Sequence, residues 1–573
     1  MITFRCPNCG TEYELGEEYQ GKKVACSVCD FRFYVPEHQI PQTTPVPVPV
    51  PVPQVVPNAS SSQETEFQEM GTPAEPAFNE GPATWVTCPH CWQHFDLREI
   101  KYISRHPELQ GDAILGEDAQ LRFVPVKYSA RGLAIDARGM ECPEMACPNC
   151  HLHIPEAVVE QPSSIFSIVG APSSGKSYFL TSMLWQARKI LPNCFEFNLA
   201  DVDSSFNMVV NSYEKLLFMN NRPDEPVALP KTELQGGGFT NQITMNGFPV
   251  DLPKPFVFAM TPMQGHPGYG KDSKNLQRNI ILYDNAGEHF QPGQESVNNM
   301  ATSHLSYSDG IIFIYDPLRD ARMQKFCDKN DPQFQLESTN QLALFYEMST
   351  RIRKFSNLSA SEKYEQPLIV AVAKFDALEE KFNIPFKHDD FLCYDGETME
   401  YSLDIQKITD ISFQIRRKLL EIAPEFVSAA EGFSDNVYFV PVSAFGSAPQ
   451  FISFDKDKNR PMLGIVPNDM KPKWIEVPLL LQLYLHGLIN GSIKNLPSTT
   501  PVQNYKFTQD TIICTLPGTG VRCELPKVYW GMSVYCPESN CYCTIPEPEG
   551  FSRNVSCKAA SLDEQIDNDF WNI

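Results

Sequence analysis

Basic residues are scarce in this chain: 47 Lys and Arg stand against 70 Asp and Glu, a formal net charge of −23. That deficit disfavours nonspecific binding along a phosphate backbone, so no direct nucleic-acid partner is expected. Long apolar runs are missing as well. No stretch approaches the ~20 residues of a membrane helix, and the longest candidate, PLLLQLYLHGLI near 478–489, is interrupted by Gln and His. The opening MITFRCPNCG lacks the charged and apolar regions of a signal peptide. The expected setting is cytoplasmic, with no transmembrane segment. Eighteen cysteines would suit an oxidising compartment, but eight of them lie in Cys-x-x-Cys pairs, the spacing of metal sites in reducing ones.

The pattern along the chain changes four times. At 573 residues the length suits about 3 to 4 domains. Residues 1–35 form a compact Cys-bearing segment. Residues 36–84 include PQTTPVPVPVPVPQVVPN, whose alternating Pro and Val favour an extended polyproline spacer, followed by a polar tether. A second Cys segment occupies 85–160. From 161 to 490 short β-branched runs alternate with amphipathic stretches. The runs are SIFSIVG, FVFAM, NIILYD, GIIFIYD, PLIVAVA and VYFVPVS; among the longer stretches are SYFLTSMLWQARKI and LDIQKITDISFQIRRKLLEIA. That alternation predicts an α/β fold with a mostly parallel sheet covered on both faces by helices. Residues 491–573 hold six more cysteines without a clean ligand spacing, and no fold is assigned to them.

Cys6, Cys9, Cys26 and Cys29 make two Cys-x2-Cys pairs separated by sixteen residues. Such knuckles bring four thiolates around one Zn2+, and so short a segment has too little core to fold without a staple. Cys88, Cys91, Cys147 and Cys150 repeat the form with 55 residues between pairs, as expected of a zinc ribbon carrying an insertion. Cys142, His90, His94, His151 and His153 are nearby alternative ligands. Neither site offers the open position of a catalytic zinc, so both are read as structural or partner-binding modules.

GAPSSGKS, residues 170–177, is a full G-x4-G-K-S between an apolar strand and an amphipathic helix. In that context Gly170, Ser173, Ser174, Gly175 and the following Tyr178 shape a loop whose N–H groups face phosphate oxygens. Lys176 reaches the β and γ oxygens, and Ser177 ligates Mg2+. NIILYDNAGEHF then ends a buried run in Asp284, placed to hold Mg2+ through water, with Gly287 offering its N–H to a γ-phosphate. Asp316, ending GIIFIYD, reads as a strand-end turn residue, and Cys194, Cys327 and Cys393 as small buried hydrophobes.

The order G-x4-G-K-S, D-x-A-G, A-K-x-D and V-S-A over about 164–490 resembles the motif series of translation-factor-related (TRAFAC-class) P-loop GTPases. Cys-rich ribbons ahead of such a domain are similar to the bacterial double-GTPase family. The resemblance implies a three-layer α/β/α GTPase domain binding GTP or GDP with Mg2+, and a regulatory role in signalling or conflict systems with protein partners reached through ribbons and switch regions. Homo- or hetero-oligomers are compatible with it. Lys374 and Asp376 take the position of base readers: the Asp accepts from guanine N1 and N2, and the Lys stem lies over the base. Ala373 departs from the family's Asn or Thr there. Ser443 and Ala444 match the last motif, in which the Ala N–H meets guanine O6, and Phe445 replaces a Lys. The switch I threonine is Thr232 or, after three glycines, Thr240. Glu288 stands where Ras-like members carry the water-orienting Gln, so hydrolysis is expected to be slow or to need His289 or a partner's arginine. An ATPase using the same loop, and a nucleotide-binding scaffold without turnover, are the rival readings.

Overall fold

The computed structural model describes residues 85–553 apart from 231–239, 246, 271–275, 285–301, 328–330, 336–338, 360, 385, 388, 456–459, 494, 495, 497, 498, 519 and 552, together with the backbone of four short N-terminal strands. The spacer at 36–84, Cys6, Cys9, Cys26 and Cys29, and Thr232, Gly287, Glu288 and His289 lie outside the described residues. Two compact units are present, 1–75 and 76–573. In the first, Ile2–Arg5 pairs with Glu12–Leu15 and Lys23–Ala25 with Arg32–Tyr34, both antiparallel.

The second unit is a mixed α/β structure built on seven strands: β1 (Ser163–Gly170), β2 (Phe197–Asp201), β3 (Phe256–Pro262), β4 (Arg278–Asp284), β5 (Gly310–Tyr315), β6 (Leu368–Val372) and β7 (Val437–Pro441). Their spatial order is β2-β3-β4-β1-β5-β6-β7. Strands β4, β1, β5, β6 and β7 run parallel, whereas β3 is antiparallel to both β2 and β4. All six predicted runs are strands. The sequence reading missed β2, whose FNLAD carries only two buried apolar side chains, too few to mark a strand.

The helices are α1 (Lys176–Phe195), α2 (Ser204–Phe218), α3 (Gln341–Phe355), α4 (Ile405–Ile422), α5 (Pro424–Phe433) and α6 (Val477–Leu485). Helix α1 starts where Gly175 turns left-handed at φ 91° and ends where Glu196 does so at 55°. Between them Phe179, Met183, Ala187 and Ile190 recur at helical spacing, and all are buried in the main core. The run PLLLQLYLHGLI supplies the short helix α6, which buries nearly every side chain and so needs no polar face.

Strand β4 serves two cores through its two-residue period. Ile280 and Leu282 enter the main cluster with Phe166, Phe313 and Met183. Ile281 and Tyr283 point the other way, into a second cluster with Trp92, Phe95, Cys88, Cys91, Cys147 and Cys150. The Cys segment of 85–160 is thus packed on the sheet rather than carried at the end of a tether. A hairpin, Thr240–Met245 with Phe248–Pro253, closes this cluster through Ile243, Val250 and Leu252.

Residues past 490 complete the main core. Three antiparallel strands, Gln503–Phe507, Thr511–Thr515 and Arg522–Pro526, are followed by the paired Ser533–Cys536 and Cys541–Thr544. Ile512, Leu525, Tyr529, Met532 and Val534 are buried with the α4 residues Ile411 and Phe413. Gln406 Nε2 donates to Ser533 O, and the Arg416 guanidinium bonds both Glu431 and Glu524 O.

Candidate functional site

At the C-terminal end of β1 the chain turns into the 170–177 loop. Gly170 is required there, because a Cβ would lie 2.9 Å from Ile314 Cβ and 3.1 Å from Ser174 Oγ. Ser173 adopts φ 58° and Gly175 φ 91°, the left-handed turns that curl the backbone ahead of α1. The Lys176 ammonium is buried and donates to Gly170 O at 3.1 Å and Ala171 O at 2.9 Å. An anion seated in the loop would compete with these carbonyls for it.

Parallel register brings the tip of β4 beside this loop, and Ser177 Oγ donates to Asp284 Oδ2 at 3.2 Å. Burial pushes the Asp284 carboxyl up to about 6, against the pull of Lys176 and Ser177. Its Oδ1 is buried without a hydrogen-bond partner among the described residues. A hydroxyl beside a carboxylate with an orphaned oxygen fits a hard divalent cation such as Mg2+.

Asp376 lies across the loop from α1. Lys374 takes the left-handed conformation at φ 52° and starts a single turn, Phe375–Ala377. Ser443 Oγ donates to Asp376 Oδ1 at 2.5 Å, and Gly446 N donates back to Ser443 Oγ at 2.8 Å. Burial raises the Asp376 carboxyl above its ordinary value, and the Ser443 bond opposes that. Ala373, Asp376, Ser443 and Ala444 line one pocket together with Ser174 and Gly175. The loop at 170–177 and the A-K-x-D and V-S-A segments therefore share one cavity.

Arg319, beside the loop, and Gln333, in the pocket, escaped the sequence reading. Lys374 Nζ is paired with the fully buried Asp316 at 2.7 Å, while Asp316 Oδ1 caps the turn after β5 by accepting from Leu318 N at 3.0 Å. Asp316 is thus a strand-end turn residue, as expected, and also the anchor of Lys374. Arg319 Nη2 donates to Ser173 O at 3.5 Å. Gln333 lines the pocket from the far side. The ring of Tyr178 meets Phe445 edge-on at 5.0 Å, and its hydroxyl accepts from Leu229 N at 2.8 Å. Asp316 had a usable signal: it follows β5, next in register to the strand that ends at Val372.

Thr240 is far from a simple loop position, since it opens the hairpin on the Cys segment, where Asn241 Nδ2 lies 3.4 Å from His90 Nδ1.

The four thiols Cys88, Cys91, Cys147 and Cys150 converge, all sulfurs within 4.8 Å of one another and all buried. His90 N and Asn149 N each donate to a knuckle sulfur at 3.4 Å. Four buried sulfurs at such range fit a soft tetrahedral cation such as Zn2+, which offsets their mutual repulsion as thiolates. The histidines are bystanders. His90 bonds His153 O at 2.9 Å and is pushed down to about 4 by burial, and His151 Nδ1 faces Asp112 at 2.8 Å. Among the described residues, the C-terminal cysteines do not gather into a comparable group.

No protein-family model matches this chain. A curated relative described as a candidate ESX-1 scaffolding and assembly protein, SaeC of Mycolicibacterium smegmatis, is 22% identical over 184 residues. That match covers 32% of this chain, which spans 40% of the relative's length. Three similar solved structures are a GTP-binding protein, a GDP complex and a GTPase-like domain. A nucleolar GTP-binding protein 1 of Plasmodium falciparum is 13% identical, covering 51% of this chain and 81% of that one, with a TM-score of 0.18. Sup35 complexed with GDP is 11% identical, covering 62% and 51%, at 0.20. The Saccharomyces cerevisiae Ski7 GTPase-like domain bound to GTP is 13% identical, covering 64% and 60%, at 0.21. Scores so low carry no functional argument.

Proposed function

We propose that this chain is a Mg2+-dependent GTP-binding protein with a three-layer P-loop GTPase domain of the TRAFAC type, turning GTP into GDP as a regulatory switch. The observation that carries the reading is Asp376: a half-buried carboxylate lining a pocket beside the 170–177 loop, with one hydroxyl donor and a carboxyl raised by desolvation. Guanine offers it two N–H donors. Adenine offers none and would leave the partly desolvated carboxylate without donors from the base, which is penalised.

In this reading Gly170, Ser173, Ser174, Gly175, Lys176 and Tyr178 hold the phosphates, and Lys374, Ser443 and Ala444 join Asp376 around the base. Ser177 and Asp284 hold Mg2+, which when bound neutralises charge on the phosphate oxygens. Thr232 and Gly287 act on the γ-phosphate and Glu288 beside the attacking water. The four-cysteine group at 88–150 and the Cys pairs of 1–35 take Zn2+. The name of the curated relative, a scaffolding and assembly protein, supports work with protein partners.

Titration of the full chain with fluorescent GDP and ADP tests this. GDP is expected to bind more tightly, and Asp376→Ala to weaken GDP by roughly 10- to 100-fold, the loss of two bonds to a charged group, with ADP unchanged. Equal affinity for GDP and ADP would rule out the guanine reading in favour of an ATPase. GDP preference without phosphate release, with or without partners, would make the protein a scaffold.

A further inference from the structure

Tyr283 and Asp284 are consecutive on β4 and project to opposite faces of the sheet. Asp284 meets Ser177 at the phosphate loop. Tyr283 is buried against the four-cysteine group: its hydroxyl donates to Pro89 O, inside the first knuckle, and accepts from Trp92 Nε1 at 3.0 Å. Trp92 itself stands at φ 57°, the left-handed turn that closes the knuckle directly after Cys91. The hold continues on the other side of the tyrosine. His304 stacks on Tyr283 at 4.6 Å and 19°, and its Nδ1 lies 2.6 Å from Ser167 Oγ on β1, three residues before Gly170. Trp92 also stacks on Tyr307 at 17°. One buried set of rings thus joins the knuckle to β4, to the 303–307 turn and to the strand that feeds the phosphate loop.

We propose that the Cys88/Cys91/Cys147/Cys150 centre positions the nucleotide site, with Trp92 and Tyr283 as the positioning residues, so that metal held at the centre and Mg2+-nucleotide held at the loop favour each other. This rests on the nucleotide-binding reading above. The physical reason is that the knuckle turn exists only while its sulfurs are gathered. Pro89 O and Trp92 Nε1 hold the phenol from that turn, and a strand tip clamped by its tyrosine presents the next carboxylate at a fixed height to Ser177. Losing the clamp releases the Asp284 peptide without touching Lys176 or the base pocket. Coupling of this kind is reciprocal: whatever metal occupancy does for Mg2+-nucleotide, Mg2+-nucleotide does for metal retention.

Two measurements on the full chain test it. The first is the Mg2+ concentration that half-maximally tightens fluorescent GDP binding, in the wild type and in Tyr283→Phe, which keeps the stacked ring and loses both hydrogen bonds. The variant is expected to hold as much zinc as the wild type and to bind GDP equally well without Mg2+, but to need about tenfold more Mg2+. An unchanged Mg2+ midpoint would overturn the proposal, and a parallel loss of Mg2+-free binding would mark Tyr283 as structural only. Trp92→Phe repeats the test should Tyr283→Phe fail to fold. The second measurement is zinc release to a chromophoric chelator in a Cys6→Ser/Cys9→Ser background. Mg2+-GDP is expected to slow release about tenfold in otherwise wild-type protein and to have no effect with Tyr283→Phe. Equal release with and without nucleotide would refute the coupling. Wild-type protein that binds neither GDP nor ADP would instead remove the nucleotide reading, and the coupling with it.

Discussion

Ala373 directly follows the strand Leu368–Val372 and lines the pocket beside the 170–177 loop; in the proposed reading an Asn side chain there would bond neighbouring loops and the base. Ala373→Asn is expected to tighten GDP binding by one bond, about 0.5 to 1.5 kcal/mol, read by the same fluorescence titration; weaker or unchanged binding would count against the missing contact. A second residue carries a pH effect. Glu476 precedes α6 fully buried, and both of its carboxylate oxygens lack a partner among the described residues. Burial pushes its carboxyl up to about 8. Between the ordinary glutamate range and pH 8 the unfolded chain releases this proton and the folded chain keeps it. Stability therefore falls as pH rises through that window, by about 1.4 kcal/mol per unit, and levels off above pH 8. Urea unfolding at pH 5 and pH 8 should show the wild type losing this stability relative to Glu476→Gln, which has no proton to lose. Asp376 was legible in the sequence because its motif follows a buried strand in the right order. Arg319 and Gln333 were not, because what brings them to Ser173 and to the pocket is neighbouring turns rather than any local pattern.

Among the elements, the turn after β7 depends on a glycine. Gly446 sits at φ +75°, and a Cβ there would meet Lys471 O at 2.3 Å. Its N–H holds the Ser443 hydroxyl that in turn holds Asp376. Gly446→Ala should displace that pair and weaken GDP about tenfold, or about 1.4 kcal/mol, while zinc content stays constant. Parallel strands were readable because burial on both faces leaves unbroken β-branched runs, as in GIIFIY. The C-terminal strands were not: QNYKF exposes four of its five residues and gives no apolar run to recognise.

For the whole molecule, the expected boundary at 490 does not coincide with a break in packing, since Leu403 pairs with Gly491 and the core continues through Val534 and Ile545. A chain stopped after 490 would expose the α4 face that Phe413 shares with Tyr529. It is expected to accumulate in the insoluble fraction, and full solubility with an unchanged urea midpoint would contradict the shared core. Metal removal belongs to this scale as well. Stripping the four-cysteine centre with a chelator should destabilise the second cluster and lower the melting temperature, and zinc should restore it.

The placement of the knuckles before the strands of the seven-stranded sheet also sets an order of assembly. A ribosome delivers Cys88 through Cys150 well before Tyr283 emerges, and chains fold as their N-terminal parts appear. The knuckle that receives the tyrosine can therefore exist, metal included, before there is a β4 to receive. In the proposed reading, metal supply during synthesis would limit how many finished chains reach a form able to take up nucleotide.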